Sequence, residues 1–374
     1  MSEYQYYEWQ AIDRRLSEAE QAAVDGLSSH IDVTASQAVV TYEWSDFKHD
    51  PRQVLARYFD AFLYFANWGT RRLMFRFPKG LLDEEALAPY LIADVVELST
   101  EGTSHILEFT LEEEEPDWDW MGDDEDGALS GLVGLRNDIL EGDYRCLYLA
   151  WLGAAALQDP DEDAALEEPA IPAGLRKLTP ALKRFAQFFA IDAHLIQSAA
   201  TASPDRAAGV TDAALRRAIG RLSRDECDDF LLRLAQGESG VGLSLRHKLQ
   251  RDLKQPSHSA PGGQRTVAEL VEAAEKLKQV EAERKAKEAE KRRIAELEKL
   301  ARREEQAWQE VEAWLAAGHT AKNYDQAVAQ LKQLRELAEY QKTRTEFNRR
   351  LRQLRAQYKT RTSFVQRLEK AGLA

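Results

Sequence analysis

Cysteine is scarce in this chain, and its scarcity limits the kinds of fold that the sequence can form. Only Cys146 and Cys227 occur among the 374 residues, and they lie in different predicted helices. A disulfide framework is therefore not expected, and a reducing cytoplasm is the natural setting for such a chain.

Long apolar runs are also missing. No stretch approaches the roughly 18 apolar residues that a membrane-spanning helix needs. The opening MSEYQYYEW has neither the basic segment nor the apolar segment of a secretion signal. We therefore expect a cytoplasmic protein without a membrane-embedded part.

Motifs for metal, phosphate and nucleophile chemistry do not occur in the sequence. None of the seven histidines has a second histidine, a cysteine or a carboxylate pair at the spacing of a zinc site. The phosphate-loop pattern GxxxxGK(S/T) and the dinucleotide pattern GxGxxG are both missing. The sequence thus predicts no cofactor, no bound metal and no enzymatic activity.

One charged group near the N-terminal core is a candidate cleft. Carboxylates beside basic side chains could form a nuclease-like or phosphoryl-transfer site if they converged. Surface ion pairing is the more frequent role of such groups, so an enzyme is the weakest of our functional hypotheses. The candidate residues are Asp46, Asp50, Asp60, Lys48, Arg71, Arg72 and Arg76.

The charge is unevenly distributed along the chain, whose formal net charge is −14. Residues 1–172 carry −26, residues 173–264 carry +5 and residues 265–374 carry +7. An acidic head joined to a basic tail is typical of nucleic-acid-facing tails, and also of chains whose oppositely charged parts attract one another. The changes in composition predict more than one domain.

Residues 1–158 predict an acidic α+β domain with a mixed or antiparallel sheet. Strands are expected at 4–11 and 33–44, a short helix at 83–90 and a hairpin at 94–111 that turns at Glu101-Gly102. Ser17 and Glu20 form a capping-box pattern that begins a helix at residue 18. Two helices broken near Gly142 complete the domain.

The stretch 51–78 has the highest concentration of apolar and aromatic side chains. Its apolar positions from Val54 to Ala66 recur at helical spacing, which predicts one long helix that ends at Trp68-Gly69. Residues 73–77 then alternate as a strand does. The resulting order is β-α-β-α-β-α-β-β, for which a ferredoxin-like split is one candidate topology.

An acidic run at 112–126 carries Trp118 and Trp120. We interpret it as a solvated loop whose two indoles fold back on the core, and a dedicated docking motif is the alternative. A linker is predicted at 159–174, where prolines and acidic residues accumulate.

Residues 175–254 predict a small helical module, and 255–264 predict a second linker. Thr179-Pro180 and Ser223 are the expected helix starts. Basic residues recur at helical intervals in this module. We interpret them as a solvated helix face, with a nucleic-acid patch as the alternative.

Residues 265–318 predict one long charged helix that ends at Gly318. Its apolar positions vanish in the middle and resume in a different phase, so a solvated helix is favoured over a continuous dimeric coiled coil. Glu281 with Lys285 and Glu283 with Lys287 are expected to support it as pairs four residues apart. Self-association through the long helix stays open.

Residues 319–374 predict a basic helical hairpin that begins at a cap on Asn323. Between residues 341 and 374 there are ten Lys or Arg and two Glu. This segment is the best nucleic-acid candidate in the chain, and docking on an acidic protein surface is the more frequent role for such a face. The candidate binding residues are Arg344, Arg349, Arg350, Arg352, Arg355, Tyr358, Lys359, Arg361 and Arg367.

Two sets of motifs resemble known bacterial proteins. YDQAVAQLKQLRELA followed by FNRRLRQLRAQYKTRTSFVQRLEKAGL is similar to the C-terminal tail of bacterial SWIM-type zinc-finger proteins. SEYQYYEWQAIDR and RYFDAFLYFANWGTRRLMFR resemble an uncharacterised bacterial family that occurs near such proteins. The CxC and CxH pairs of a SWIM motif are absent here. The resemblance therefore implies a partner or a shared docking mode, and not zinc binding by this chain.

These observations favour an adaptor or scaffold whose helical C-terminal arm binds a protein partner, with a SWIM-type zinc-finger protein as one candidate. The alternative is a nucleic-acid-associated accessory protein that uses the basic hairpin.

Overall fold

The computed structural model describes residues 3–113, 127–157, 168–206, 212–237, 240–253, 259–260, 265–318 and 320–373. The chain divides into two units, Met1–Lys278 and Gln279–Ala374. Residues 114–126 of the predicted acidic run at 112–126, with its two tryptophans, lie outside the described residues, as does most of each predicted linker.

The first unit contains a seven-stranded sheet in the order β2-β3-β1-β4-β5-β7-β6, and every neighbouring pair is antiparallel. Its strands are β1 (Gln5–Gln10), β2 (Ile31–Val33), β3 (Gln37–Tyr42), β4 (Ala61–Ala66), β5 (Arg71–Pro78), β6 (Val96–Glu101) and β7 (Ser104–Leu111). A separate two-stranded pair joins β8 (Ile171–Pro172) to β9 (Ser259–Ala260). The predicted α+β domain with a mixed or antiparallel sheet is confirmed, and its sheet is the antiparallel one of the two, whereas the ferredoxin-like split is not seen.

Ten α-helices of the first unit lie wholly within its described residues, and an eleventh begins there. They are α1 (Glu18–Asp25), α2 (Pro51–Tyr58), α3 (Glu84–Leu87), α4 (Gly134–Leu140), α5 (Arg145–Leu157), α6 (Pro180–Phe188), α7 (Ala193–Ala200), α8 (Asp212–Ile219), α9 (Arg224–Ala235) and α10 (Val241–Leu253). The capping boxes at Ser17 and Ser223 and the cap at Thr179 begin α1, α9 and α6 as predicted.

Helices cover both faces of the sheet. Side chains alternate between the two faces along each strand, so each strand contributes to both cores. On one face Tyr7, Trp9 and Phe62 pack with α1 and α2. On the opposite face Phe65 and Phe75 pack with α4 to α7. The central strands β1 and β4 are consequently buried along nearly their whole length.

The long helix predicted for residues 54–66 is wrong. Helix α2 ends at Tyr58, and residues 61–66 form β4, which pairs with β1 and β5. Gly69 lies in the β4–β5 turn with φ +106°, and a side chain there would meet the backbone oxygen of Glu113. Its role is thus to turn a hairpin, and not to end a helix. The predicted strand 33–44 corresponds to β3, and the short strand β2 precedes it and shares only Val33 with the prediction.

Helices α6 and α7, the first part of the predicted middle module, are not separate from the sheet. Phe185, Ile191 and Leu195, from α6, α7 and the turn between them, belong to the same core as Phe75 and Phe109. The boundary predicted at 159–174 therefore does not divide two cores, and the structure divides the chain after residue 278 instead.

A buried ion pair ties the start of the long helix to this core. The carboxylate of Glu168 is fully buried and accepts hydrogen bonds from Tyr148 Oη and from Arg265 Nε (2.9 Å). Burial raises the pKa of Tyr148. Leu270 and Ala274, one and two turns later, complete the attachment by packing in the core.

A second buried network lies beneath α4. Arg136 donates two hydrogen bonds to Asp13 (2.9 and 2.7 Å) and one to the carbonyl oxygen of Arg76 (2.8 Å). The Asp60 carboxylate accepts from the backbone N–H groups of Ile12 (2.7 Å) and Asp13 (2.9 Å), and from Arg76. These bonds join β1, β4, β5 and α4.

The second unit is helical. The long helix is interrupted at Arg302-Arg303, which corrects the prediction of one continuous helix, and it still ends at Gly318. The helices are α11 (Val267–Ala301), α12 (Glu304–Ala317), α13 (Ala321–Tyr340), α14 (Arg344–Gln357) and α15 (Thr362–Lys370). Residues 282–293 of α11 are exposed throughout, and both predicted ion pairs, Glu281–Lys285 and Glu283–Lys287, form.

Helices α12 to α15 share one apolar core. Trp308, Leu331, Phe347 and Phe364, one from each helix, are among its members. Helices α13 and α14 form the predicted hairpin, and α12 and α15 pack against α13. Thr320, and not Asn323, caps α13, because its hydroxyl accepts from the Asn323 N–H.

Replacing Arg136 with Met should lower the free energy of unfolding of the first unit by about 3 kcal/mol, because it leaves the carboxylate of Asp13, whose side chain is 10% exposed, without its cation and removes a donor from the carbonyl oxygen of Arg76. Amide hydrogen exchange in β1 and β4 would measure the change. Arg14→Met, which removes a largely exposed pair with Glu20, should cost less than about 1 kcal/mol. Equal losses in the two variants would contradict the role assigned to Arg136.

Candidate functional site

A cleft of about 1120 Å³ opens in the first unit. One part lies on the α2 face of the sheet and is polar, whereas the other lies toward α5 and α7 and is lined by apolar and small side chains. The polar part is lined by Gln5, Tyr7, Asp46, Arg52, Tyr64, Thr70, Arg72, Glu108 and Thr110. The apolar part includes Ile92, Phe109, Leu111, Ala150, Gly153, Ala154, Phe189 and Ile191.

Two arginines and one buried glutamate meet on the polar side. Glu108 lies on β7 and is 4% exposed. Arg72 of β5 donates from Nε to Glu108 Oε1 (2.7 Å), and Arg52 of α2 donates to the other carboxylate oxygen. Arg52 also donates from Nη1 to Ser99 Oγ (3.2 Å). The carboxylate thus fixes two guanidinium groups side by side.

Local sequence explains why these three side chains meet. Asp50 caps α2 by accepting from the Arg52 N–H (2.8 Å), and Pro51 follows at the first turn, so Arg52 leaves the start of the helix above the sheet. In the ladder between β5 and β7, Arg72 pairs with Thr110, two residues from Glu108. Arg72 and Glu108 are therefore diagonal neighbours on one face.

Two tyrosines and a glutamine form a second polar group beside the arginines. Tyr7 Oη and Tyr64 Oη both donate to Gln5 Oε1, at 2.7 and 3.0 Å. The amide of Gln5 in turn donates to Asp46 Oδ1 (2.8 Å) and to the carbonyl oxygen of Ser45 (3.1 Å). Burial raises the pKa of Tyr7 to about 12 and also raises the pKa of Tyr64. Both phenols therefore remain neutral hydrogen-bond donors at physiological pH.

The structure separates most of the residues that the sequence grouped as a candidate cleft. Asp46 and Arg72 line the cleft. Asp60 and Arg76 belong to the network beneath α4. Arg71 lies on the opposite face of the sheet, where it donates to the carbonyl oxygen of Phe188 (2.7 Å) and pairs with Glu113. The carboxylates Asp46, Asp50 and Asp60 thus serve three separate hydrogen-bonding groups, and the convergent site that the sequence suggested does not form.

Most of the predicted binding residues of the C-terminal hairpin are engaged within their own unit. The carboxylate partners are Glu339 for Arg344, Glu346 for Arg349, Glu305 for Arg350, Glu369 for Arg355 and Asp325 for Arg367. Hydrogen bonds to Arg350 and Arg349 lower the pKa values of Glu305 and Glu346.

The remaining predicted residues lie near the end of α14. Arg361 donates to the carbonyl oxygen of Leu315 and lies 4.7 Å from the ring centre of Tyr358. Arg352 donates to the carbonyl oxygen of Asn348 (3.2 Å) and is exposed, as is Lys359. Among the described residues, these last two are exposed and form no ion pair with a carboxylate, whereas the exposed Arg344 and Arg349 do.

Sequence reasoning missed seven of the nine residues named for the polar part of the cleft: Gln5, Tyr7, Arg52, Tyr64, Thr70, Glu108 and Thr110. The strand predicted at 4–11 is confirmed as β1, but the sequence carries no information about which face of that strand lines a cleft. Tyr64 was assigned to a helix, so its position opposite Tyr7 in the β1–β4 ladder could not be foreseen.

No protein-family model matches this sequence, and no match is found among curated proteins or solved structures. Among the described residues, no three histidine, cysteine or acidic side chains are grouped so that they could hold a metal ion. Within the same residues, every helix is too short or too polar to cross a membrane.

The raised pKa of Tyr7 makes the stability of the first unit depend on pH. Its value is about 12 in the folded protein and 10.0 ordinarily, so the unfolded chain loses this proton first as the pH rises. The stability that Tyr7 contributes is therefore complete below pH 10 and is lost between pH 10 and about 12.

A rapid pH jump followed by tyrosinate absorbance should show an ionisation with a midpoint at about pH 12 that is missing from the Tyr7→Phe variant. If the absorbance difference between the two proteins instead had its midpoint at pH 10, the Tyr7 phenol would not be desolvated in the folded protein.

Proposed function

We propose that this protein is a non-enzymatic adaptor that binds a protein partner through its C-terminal helices. The observation that carries the proposal is the pairing of the hairpin arginines with carboxylates of the same unit. The surface that results has mixed charge and stands on a single apolar core. Such a surface suits a protein partner, whose own side chains carry both signs.

The second unit also has the rigidity that a docking surface needs. Each of α12 to α15 contributes at least one buried aromatic side chain or leucine to the common core. Arg350 lies 4.6 Å from the ring centre of Trp308 while its guanidinium donates to both carboxylate oxygens of Glu305. Side chains held in this way lose little further conformational freedom when a partner binds.

The nucleic-acid alternative is less well supported by the same contacts. Binding to a phosphate backbone gains its free energy from cations that replace condensed counterions. Five of the candidate arginines already neutralise carboxylates, so each would have to exchange a protein anion for a phosphate. Arg352 and Lys359 are the exposed cations of the set that form no ion pair with a carboxylate of the described residues.

The resemblance of the tail to that of SWIM-type zinc-finger proteins makes such a protein the first partner to test. Full-length tagged protein should recover its partner from the cells in which the chain occurs. The double variant Arg352→Glu with Lys359→Glu should recover at least about tenfold less, because reversed charges at an interface place like charges together. Quantitative mass spectrometry of the eluates would measure the loss.

A matched control reverses two exposed cations of the first unit, Arg57→Glu with Lys79→Glu, and should leave recovery unchanged. Circular dichroism would verify that both double variants remain folded. If nuclease treatment abolished recovery, the nucleic-acid alternative would replace the adaptor. If reversing Arg352 and Lys359 had no effect, this surface of the hairpin would not be the docking site.

A further inference from the structure

The arrangement of Arg52, Arg72 and Glu108 has a feature that a simple surface ion pair does not have. The acceptor is buried, whereas the side chains of Arg52 and Arg72 are 25% and 31% exposed and line the cleft. A buried carboxylate thus orients two permanently charged groups that face open space. Groups that are already oriented lose little entropy when they bind a ligand.

Two guanidinium groups share the carboxylate of Glu108, so neither arginine has a carboxylate of its own. Asp46 also lines this side of the cleft, and Glu97 lies opposite Glu108 in the β6–β7 ladder, so the position carries no net positive charge. What the two arginines offer an anion is their unused N–H donors. Since a guanidinium has five N–H donors, the contacts described with Glu108 and Ser99 use only some of those available.

The surroundings limit the size and charge of a ligand. Asp94, Glu97 and Glu112 also line the cleft, and their negative charge would repel a polyanion such as a nucleic acid. Tyr7, Phe47 and Trp68 line the polar part and offer aromatic surface to the rest of a small molecule. The cleft volume of about 1120 Å³ is sufficient for such a molecule.

We propose that Arg52 and Arg72 bind the oxyanion group, a carboxylate or a phosphate, of a small molecule that enters this cleft. Both groups match the planar donors of arginine, which favours charge-assisted and bidentate hydrogen bonds. The ion pair between Arg52 and Glu108 also joins α2 to the sheet. This structural role is the alternative explanation of the contacts.

Calorimetric titration of the full-length protein with inorganic phosphate and, separately, with acetate would test the proposal at ionic strength matched with chloride. We expect saturable binding of at least one of these anions at one site. Arg72→Gln and Arg52→Gln should each weaken it about tenfold or more, as expected for the loss of a charged hydrogen-bonding group. Arg57→Gln, on the same helix but outside the cleft, should bind as the original protein does.

A second measurement does not depend on substitutions. On addition of the anion, the side-chain Nε resonances of Arg52 and Arg72 should shift in the nuclear magnetic resonance spectrum, while that of Arg57 should not. Tighter binding of phosphate would indicate a phosphorylated ligand, and tighter binding of acetate a carboxylic acid. Absence of saturable binding by both anions, or equal weakening in Arg57→Gln, would leave the triad with a structural role only.

Discussion

Burial of the seven-stranded sheet on both faces is the constraint on which the rest of the first unit depends. An antiparallel sheet can leave one face in water, but β1 and β4 carry large apolar side chains on both sides. Each face must then be covered by helices. Helices α1 and α2 cover one side, and α4 to α7, with the first two turns of α11, cover the other.

The same constraint explains where sequence reasoning succeeded and where it failed. The capping boxes at Ser17 and Ser223 and the turn at Gly102 were predictable because the signal and the structure lie within a few residues. Strand β4 was not predictable, since a strand that is buried on both faces lacks the alternation of polar and apolar residues that marks a half-buried strand. The run from Phe59 to Ala66 then continues the helical spacing of α2 by coincidence.

Only two residues of the polar part of the cleft, Asp46 and Arg72, were predicted, because the cleft also depends on how the strands are arranged. Its polar side combines residues of β1, α2, β4, β5 and β7, and these become neighbours only when the strand order is known. Asp46 and Arg72 were identified as charged residues near the core, but Glu108, which gives Arg72 its orientation, is far along the chain. In the C-terminal tail, sequence reasoning proposed too many binding residues. It counted cations and ignored their carboxylate partners, such as Glu305 on α12 and Asp325 on α13.

The ion pair between Arg265 and Glu168 limits where recombination could replace the C-terminal part of such a chain. The Gly- and Pro-rich stretch at 255–264, which the sequence predicted to be a linker, is the point that sequence alone suggests for recombination. A new C-terminal part joined there would lack Arg265 and Leu270, so the first unit would keep a buried carboxylate without its cation and an uncovered apolar surface. A recombination point that preserves the first unit must therefore lie within α11, after Ala274. The helix can continue there into the sequence of another protein.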